Sequence, residues 1–145
     1  MSLGHLREWI PRVIVREAAR MSDDAEPDIV ITDRPIDGAT LQALTAHWFG
    51  DMVKLVIDID RRVVAIGGEL HADAEALLLE RGSRQSSLWG ANYMPGAGPD
   101  HCLELTALIN IRPGQGNRSM VVQDPEIVMK MRAIVCGLIG RGEPL

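Results

Sequence analysis

The spacing of apolar and polar positions changes period several times along the chain, and each change marks an element. The run IVIT (29–32) predicts a short buried strand. RPIDGATLQALTAHWFGD (34–51) predicts a helix: Leu41, Leu44 and Trp48 share one face, Asp37 or Thr40 can cap the start, and Gly50 stops it. MVKLVIDIDRRVVAIGG (52–68) reads as a hairpin, with Leu55, Ile57 and Ile59 alternating against Val56, Asp58 and Asp60 and a turn near Asp60–Arg62. HADAEALLLERG (71–82) supports a helix on propensity, or strand–turn–strand; the second is adopted here. SRQSSLWG (83–90) reads as one helical turn, ANYM (91–94) as a short strand, and PGAGPD (95–100) as an exposed loop. CLELTALINI (102–111) is the clearest late strand, and RPGQGNRS (112–119) is a second Gly-rich loop. The chain closes with a helix in DPEIVMKMRAIVCGLIG (124–140). Asp124 is its N-cap, Pro125 its first position and Glu126 suits the dipole, while Ile127, Met131, Ile134, Val135 and Leu138 form an apolar stripe.

Residues 1–28 follow a different pattern. Leu6, Trp9, Ile10, Val13 and Ile14 approach helical spacing, but Pro11 interrupts it, leaving open a short docking helix or an irregular appendage. MSDDAEPD (21–28) reads as an acidic linker. The expected organisation is thus a leader and linker over 1–28 and one α+β domain over 29–140. That domain is a mostly antiparallel sheet of about four to six strands with two or three helices packed on one face. The other face would stay open and could hold a site.

Composition narrows the function. The 145 residues are 46% hydrophobic and 24% charged, the mix of a globular domain, with only 3% aromatic. The formal net charge of −5 makes nucleic acid an unfavourable partner. No apolar run is long enough for a membrane span, and charges interrupt the N-terminal segment too often for a signal peptide, so a cytoplasmic location is expected. Cys102 and Cys136 form no CxxC pair and read as two buried thiols.

Three polar constellations carry candidate chemistry. In GGELHADAE (67–75), Glu69, His71, Asp73 and Glu75 recur at the period of a strand face. A His with two carboxylates suits acid–base work or a divalent metal, and a helix would still bring His71 and Glu75 together at i, i+4. A neighbouring carboxylate would raise the His71 pKa. The same alternation also arises on the solvated face of a sheet. In NIRPGQGNRSM (110–120), Arg112 and Arg118 bracket Gln115 and Asn117 between glycines, a pattern suited to an anion through backbone N–H groups and guanidinium forks. Those arginines would be structural if each paired with an internal carboxylate. In GSRQSSLWGAN (82–92), Arg84 and Trp89 offer charge and stacking surface, although a Trp there is more often a core plug.

GDMVK (50–54), GGELHAD (67–73), GSRQSSLWGANY (82–93), INIRPGQGNRSM (109–120) and DPEI (124–127) together resemble a family of short bacterial proteins classed as a domain of unknown function. The resemblance runs over residues 29–138 and implies no activity or catalytic residues. The residues leave two readings. One is a small-ligand binder or enzyme, with Glu69, His71 and Asp73 catalytic and Arg84, Trp89, Arg112, Gln115, Asn117 and Arg118 holding a small anionic molecule. The other is a non-catalytic interaction module acting through a sheet edge or the C-terminal helix, with homo-oligomerisation open.

Overall fold

The computed structural model describes residues 29–145, so the expected leader and linker lie outside the described residues. Five strands form one antiparallel sheet: β1 (Val30–Thr32), β2 (Val53–Asp58), β3 (Val63–Ile66), β4 (Leu88–Tyr93) and β5 (Leu103–Glu104), in the order β1-β3-β2-β4-β5. Three helices pack on it: α1 (Gly38–Trp48), α2 (His71–Glu80) and α3 (Pro125–Leu138). The α+β class and the antiparallel sheet agree with the periodicities of the chain.

The hairpin β2–β3 turns where Asp58 ends its strand. Its fully buried carboxylate accepts from the N–H groups of Asp60 at 3.0 Å and Arg61 at 2.9 Å and from Ser83 Oγ at 2.6 Å. Three donors replace the water this anion loses on burial. Arg62, at φ +58°, completes the turn in the left-handed region.

Strand alternation sends apolar side chains to both faces. Val53, Leu55, Ile57, Val64, Ile66, Trp89 and Tyr93 meet Leu41 and Leu44 of α1 and Met131, Ile134 and Val135 of α3. Ile31, Val56, Ala65 and Leu88 meet Ala74 and Leu78 of α2. The expectation that the helices share one face holds for α1 and α3; α2 covers the other. Each fully buried Leu or Ile on these faces stabilises the fold by roughly 1.5–3 kcal/mol, so leaving one face bare would be costly.

This second layer overturns the strand–turn–strand reading of 71–82. The run holds no β-branched residue and is rich in Ala, Leu and Glu, the strong helix formers. The Asp73 carboxylate accepts from the Leu70 N–H at 3.3 Å, and Gly82, at φ +97°, follows the end of the helix.

The late strand is shorter than its alternation suggests. Only Leu103 and Glu104 pair with β4. Beyond them the outer edge of β4 is closed by side chains. The Asn110 amide donates to the Gly90 carbonyl at 3.0 Å and accepts from the Gly90 N–H at 2.8 Å, as a neighbouring strand would. Arg112 donates to the Leu88 carbonyl. Residues 105–107 turn away and bridge to 120–122 through the pair Thr106–Val121.

Candidate functional site

The helical form of 71–80 disperses the first constellation. His71 is the first residue of α2, half-buried against the sheet, and its Nε2–H donates to the Ala91 carbonyl at 2.8 Å. Asp73 is spent on the helix start. Glu69 is exposed in the preceding turn, where its carbonyl accepts from Lys54 Nζ at 2.7 Å. Glu75 projects elsewhere, its Oε2 lying 3.6 Å from Arg112 NH2. Glu69, His71 and Asp73 therefore do not converge as a catalytic set. Among the described residues no group of three or more His, Cys, Asp or Glu side chains is arranged to hold a metal ion. The expected rise in the His71 pKa is replaced by a fall. Burial is the main cause, and Lys54 adds to it, while the bond to Ala91 opposes it.

The second constellation is organised inward. Arg112 donates from Nε to the Ile109 carbonyl at 2.9 Å, from NH1 to the Gln85 carbonyl at 2.6 Å, and from NH2 to the Leu88 carbonyl. Its guanidinium also lies 4.7 Å from the centre of the Trp89 ring and pairs with Glu75. Only 10% of this side chain is exposed. Arg112 is a staple tying the 110–118 loop to β4 and α2, so the guanidinium expected to hold an anion is already engaged within the fold. The pairing with an internal carboxylate is the structural arrangement anticipated for such an arginine, with Glu75 as the partner.

Asn117 is equally committed. Its side-chain N–H groups donate to the carbonyls of Asn110 at 2.8 Å, Ser119 at 2.8 Å and Val121 at 3.1 Å, and its oxygen accepts from the Gln123 N–H at 2.9 Å. Gln115 donates to the Ser86 carbonyl at 3.1 Å. Arg118 is exposed and has no hydrogen bond or ion pair among the described residues. Arg84, with 79% of its side chain exposed, lies 3.8 Å from Asp60.

What the loop does build is a cleft. Trp89, Gln115, Gly116 and Asn117 form one wall, and Gln123, Asp124 and Ile127, at the start of α3, form the other, around about 340 Å³. Three of the expected ligand residues thus meet, without either arginine of the loop. Trp89 is 1% exposed, and its indole N–H is buried with no acceptor among the described residues. An unpaired buried donor costs about 1–3 kcal/mol, so an acceptor entering the cleft would recover that penalty. Asp124 uses one oxygen to accept from the Glu126 N–H at 2.9 Å, capping α3. Its carboxylate and the Gln123 amide complete the polar lining.

No motif in the sequence marks Gln123, Asp124 and Ile127 as site residues. Asp124 was legible as a helix cap, but nothing in the spacing announces that the cap faces the 112–118 loop. Among the described residues no helix is long and apolar enough to cross a membrane.

No curated protein and no solved structure matches this chain. A family model, described as "Protein of unknown function (DUF5674)", matches residues 29–138, which contain the whole sheet, all three helices and the cleft. The chain belongs to the DUF5674 family of proteins of unknown function.

Proposed function

We propose that this domain binds a small, uncharged polar ligand in the cleft between the 112–118 loop and the start of α3. The observation that carries the reading is that Trp89, which lines that cleft, has a buried N–H without an acceptor among the described residues. The lining supports the ligand class. It holds the Asp124 carboxylate and no Lys or Arg, so an anion would meet repulsion without compensation. A neutral molecule with a carbonyl or hydroxyl acceptor for Trp89 and an O–H or N–H for Asp124 satisfies both walls. The volume lies at the small end of ligand pockets. Catalysis by Glu69, His71 and Asp73 is not part of the proposal, since each is engaged elsewhere or faces solvent. The free thiols Cys102 and Cys136, the second of them exposed, suit a reducing compartment, and we place the activity in the cytoplasm.

The test is a ligand-observed NMR screen of neutral sugars, amides and nucleosides against wild type and Trp89→Phe. Hits should lose affinity about fivefold or more in the variant, the worth of one hydrogen bond near 1 kcal/mol. Hits that bind Trp89→Phe and Gln123→Ala as tightly as wild type would dismiss the cleft.

One observation favours the interaction-module reading beside it. Leu108 is 72% exposed and Val121 48% exposed, and the bridge between 106 and 121 brings their segments together next to the β5 edge. If this apolar edge pairs with a second copy, sedimentation velocity should show concentration-dependent dimerisation that Val121→Lys abolishes.

A further inference from the structure

Beyond that cleft, a second one is built by the C-terminal tail. Pro99, Cys102 and Leu103 on one side and Arg132, Val135 and Cys136 of α3 on the other enclose about 300 Å³, with Gly140 and Arg141 closing the end. The tail is fixed by its own hydrogen bonds. The Gly142 N–H donates to the Tyr93 hydroxyl at 2.8 Å, the Gly98 N–H donates to the Gly142 carbonyl at 3.0 Å, and the Gly96 N–H donates to the Glu143 carbonyl at 3.0 Å. Gly142 has φ +79°, and a Cβ there would stand 2.5 Å from the Gly98 carbonyl oxygen and 2.7 Å from Cys102 Cβ. Only glycine permits this approach. Arg141 is thereby held at the cleft by a rigid backbone.

We propose that this cleft binds an organic anion, a phosphate monoester or a carboxylate with an apolar body, through Arg132 and Arg141. Both residues line the cleft and are exposed, and neither guanidinium has a hydrogen bond or ion pair among the described residues. The chain has a net charge of −5, yet among the described residues neither guanidinium has a carboxylate partner; the neighbouring Glu143 carboxylate accepts from the Arg141 backbone N–H at 2.9 Å. Paired guanidiniums present forked donors to phosphate or carboxylate oxygens. Pro99, Leu103 and Val135 add the apolar surface that an organic body would cover. Arg141 lies beyond the family-matched residues 29–138, so the complete site belongs to this chain rather than to the matched span.

Cys136 lines the same cleft and is exposed, whereas Cys102 is buried, so Cys136 reports occupancy. The experiment measures, by mass spectrometry, the rate at which neutral iodoacetamide alkylates Cys136 in the full chain, with phenyl phosphate, inorganic phosphate, or sodium chloride at matched ionic strength. Phenyl phosphate should slow alkylation well beyond the salt control, and more than inorganic phosphate does. Arg132→Gln and Arg141→Gln should each raise the protecting concentration about tenfold or more, as expected for one charge-assisted contact. Both substitutions are at exposed positions and should leave the thermal midpoint within a few degrees. Protection no greater than that of sodium chloride, or unchanged in both variants, overturns the site. Equal protection by inorganic phosphate overturns the assignment to an organic anion.

Discussion

Replacing Arg112 by Ala tests whether that arginine holds the fold or a ligand. The substitution strands the carbonyls of Ile109, Gln85 and Leu88 and leaves Glu75, 13% exposed, without its cation. Hydrogen bonds from a charged donor are worth about 1.5–3 kcal/mol each, and breaking a buried ion pair costs about 3–5 kcal/mol. These terms overlap, because one side chain makes them all, and water can reach the Gln85 carbonyl. A total loss of about 3–5 kcal/mol is expected. In urea, with a slope of about 1–3 kcal/mol per molar for a domain of this size, the midpoint should fall by more than about 1 M with the slope unchanged. Much of the penalty comes from the abandoned Glu75 carboxylate. Arg112→Ala combined with Glu75→Gln should therefore regain about 1 kcal/mol or more over Arg112→Ala alone. A loss below about 1 kcal/mol with no coupling to Glu75 would refute the staple and return Arg112 to the ligand-binding candidates.

Four further outcomes follow from the geometry. His71 should titrate below its ordinary 6.5 by NMR, because burial disfavours the imidazolium. The unfolded chain then binds more protons than the folded one, so this stabilising contribution is complete above pH 6.5. It is lost as pH falls through that value toward the folded pKa, a slope that His71→Gln should flatten in urea midpoints; a His71 pKa of 6.5 or above would contradict the burial. Gly90→Ala should destabilise the fold by roughly 1–3 kcal/mol or more, read as a lowered thermal midpoint, since its Cβ would meet Ala107 Cβ at 2.5 Å and His71 Cδ2 at 3.2 Å; near-neutrality would mean the α2 face is looser than described. Asn110→Ala should cost at least about 2 kcal/mol by chemical denaturation, because both polar groups of buried Gly90 lose their partner, while Arg118→Ala, at an exposed position without a partner, should change stability by under about 0.5 kcal/mol.

The sequence alone determined what depends on local spacing and local chemistry. The alternation in 52–68 was enough for the β2–β3 hairpin. The stripe from Ile127 to Leu138 behind Asp124 and Pro125 was enough for α3, and Asp37 does cap α1, accepting from the Thr40 N–H at 2.7 Å. The motifs that carry the family resemblance fall within the span the family model matches. Tertiary structure decided everything that depends on partners distant along the chain. Whether 71–80 is helix or strand turned on a second apolar face of the sheet, set by Ile31, Val56, Ala65 and Leu88 from four different strands. The alternating run after Cys102 stopped pairing because the outer edge of β4 is taken by Asn110 and Arg112, a use of side chains that periodicity does not encode. The candidate chemistry moved for the same reason. His71, Arg112 and Asn117 are polar residues in a conspicuous pattern, but burial obliges such groups to satisfy the nearest backbone before anything else. Both proposed sites rest instead on groups the fold leaves unpaired among the described residues: the N–H of Trp89, which lines one cleft, and the guanidiniums of Arg132 and Arg141 at the other. No local pattern could reveal either, because a group is left over only relative to every neighbour the fold assembles around it.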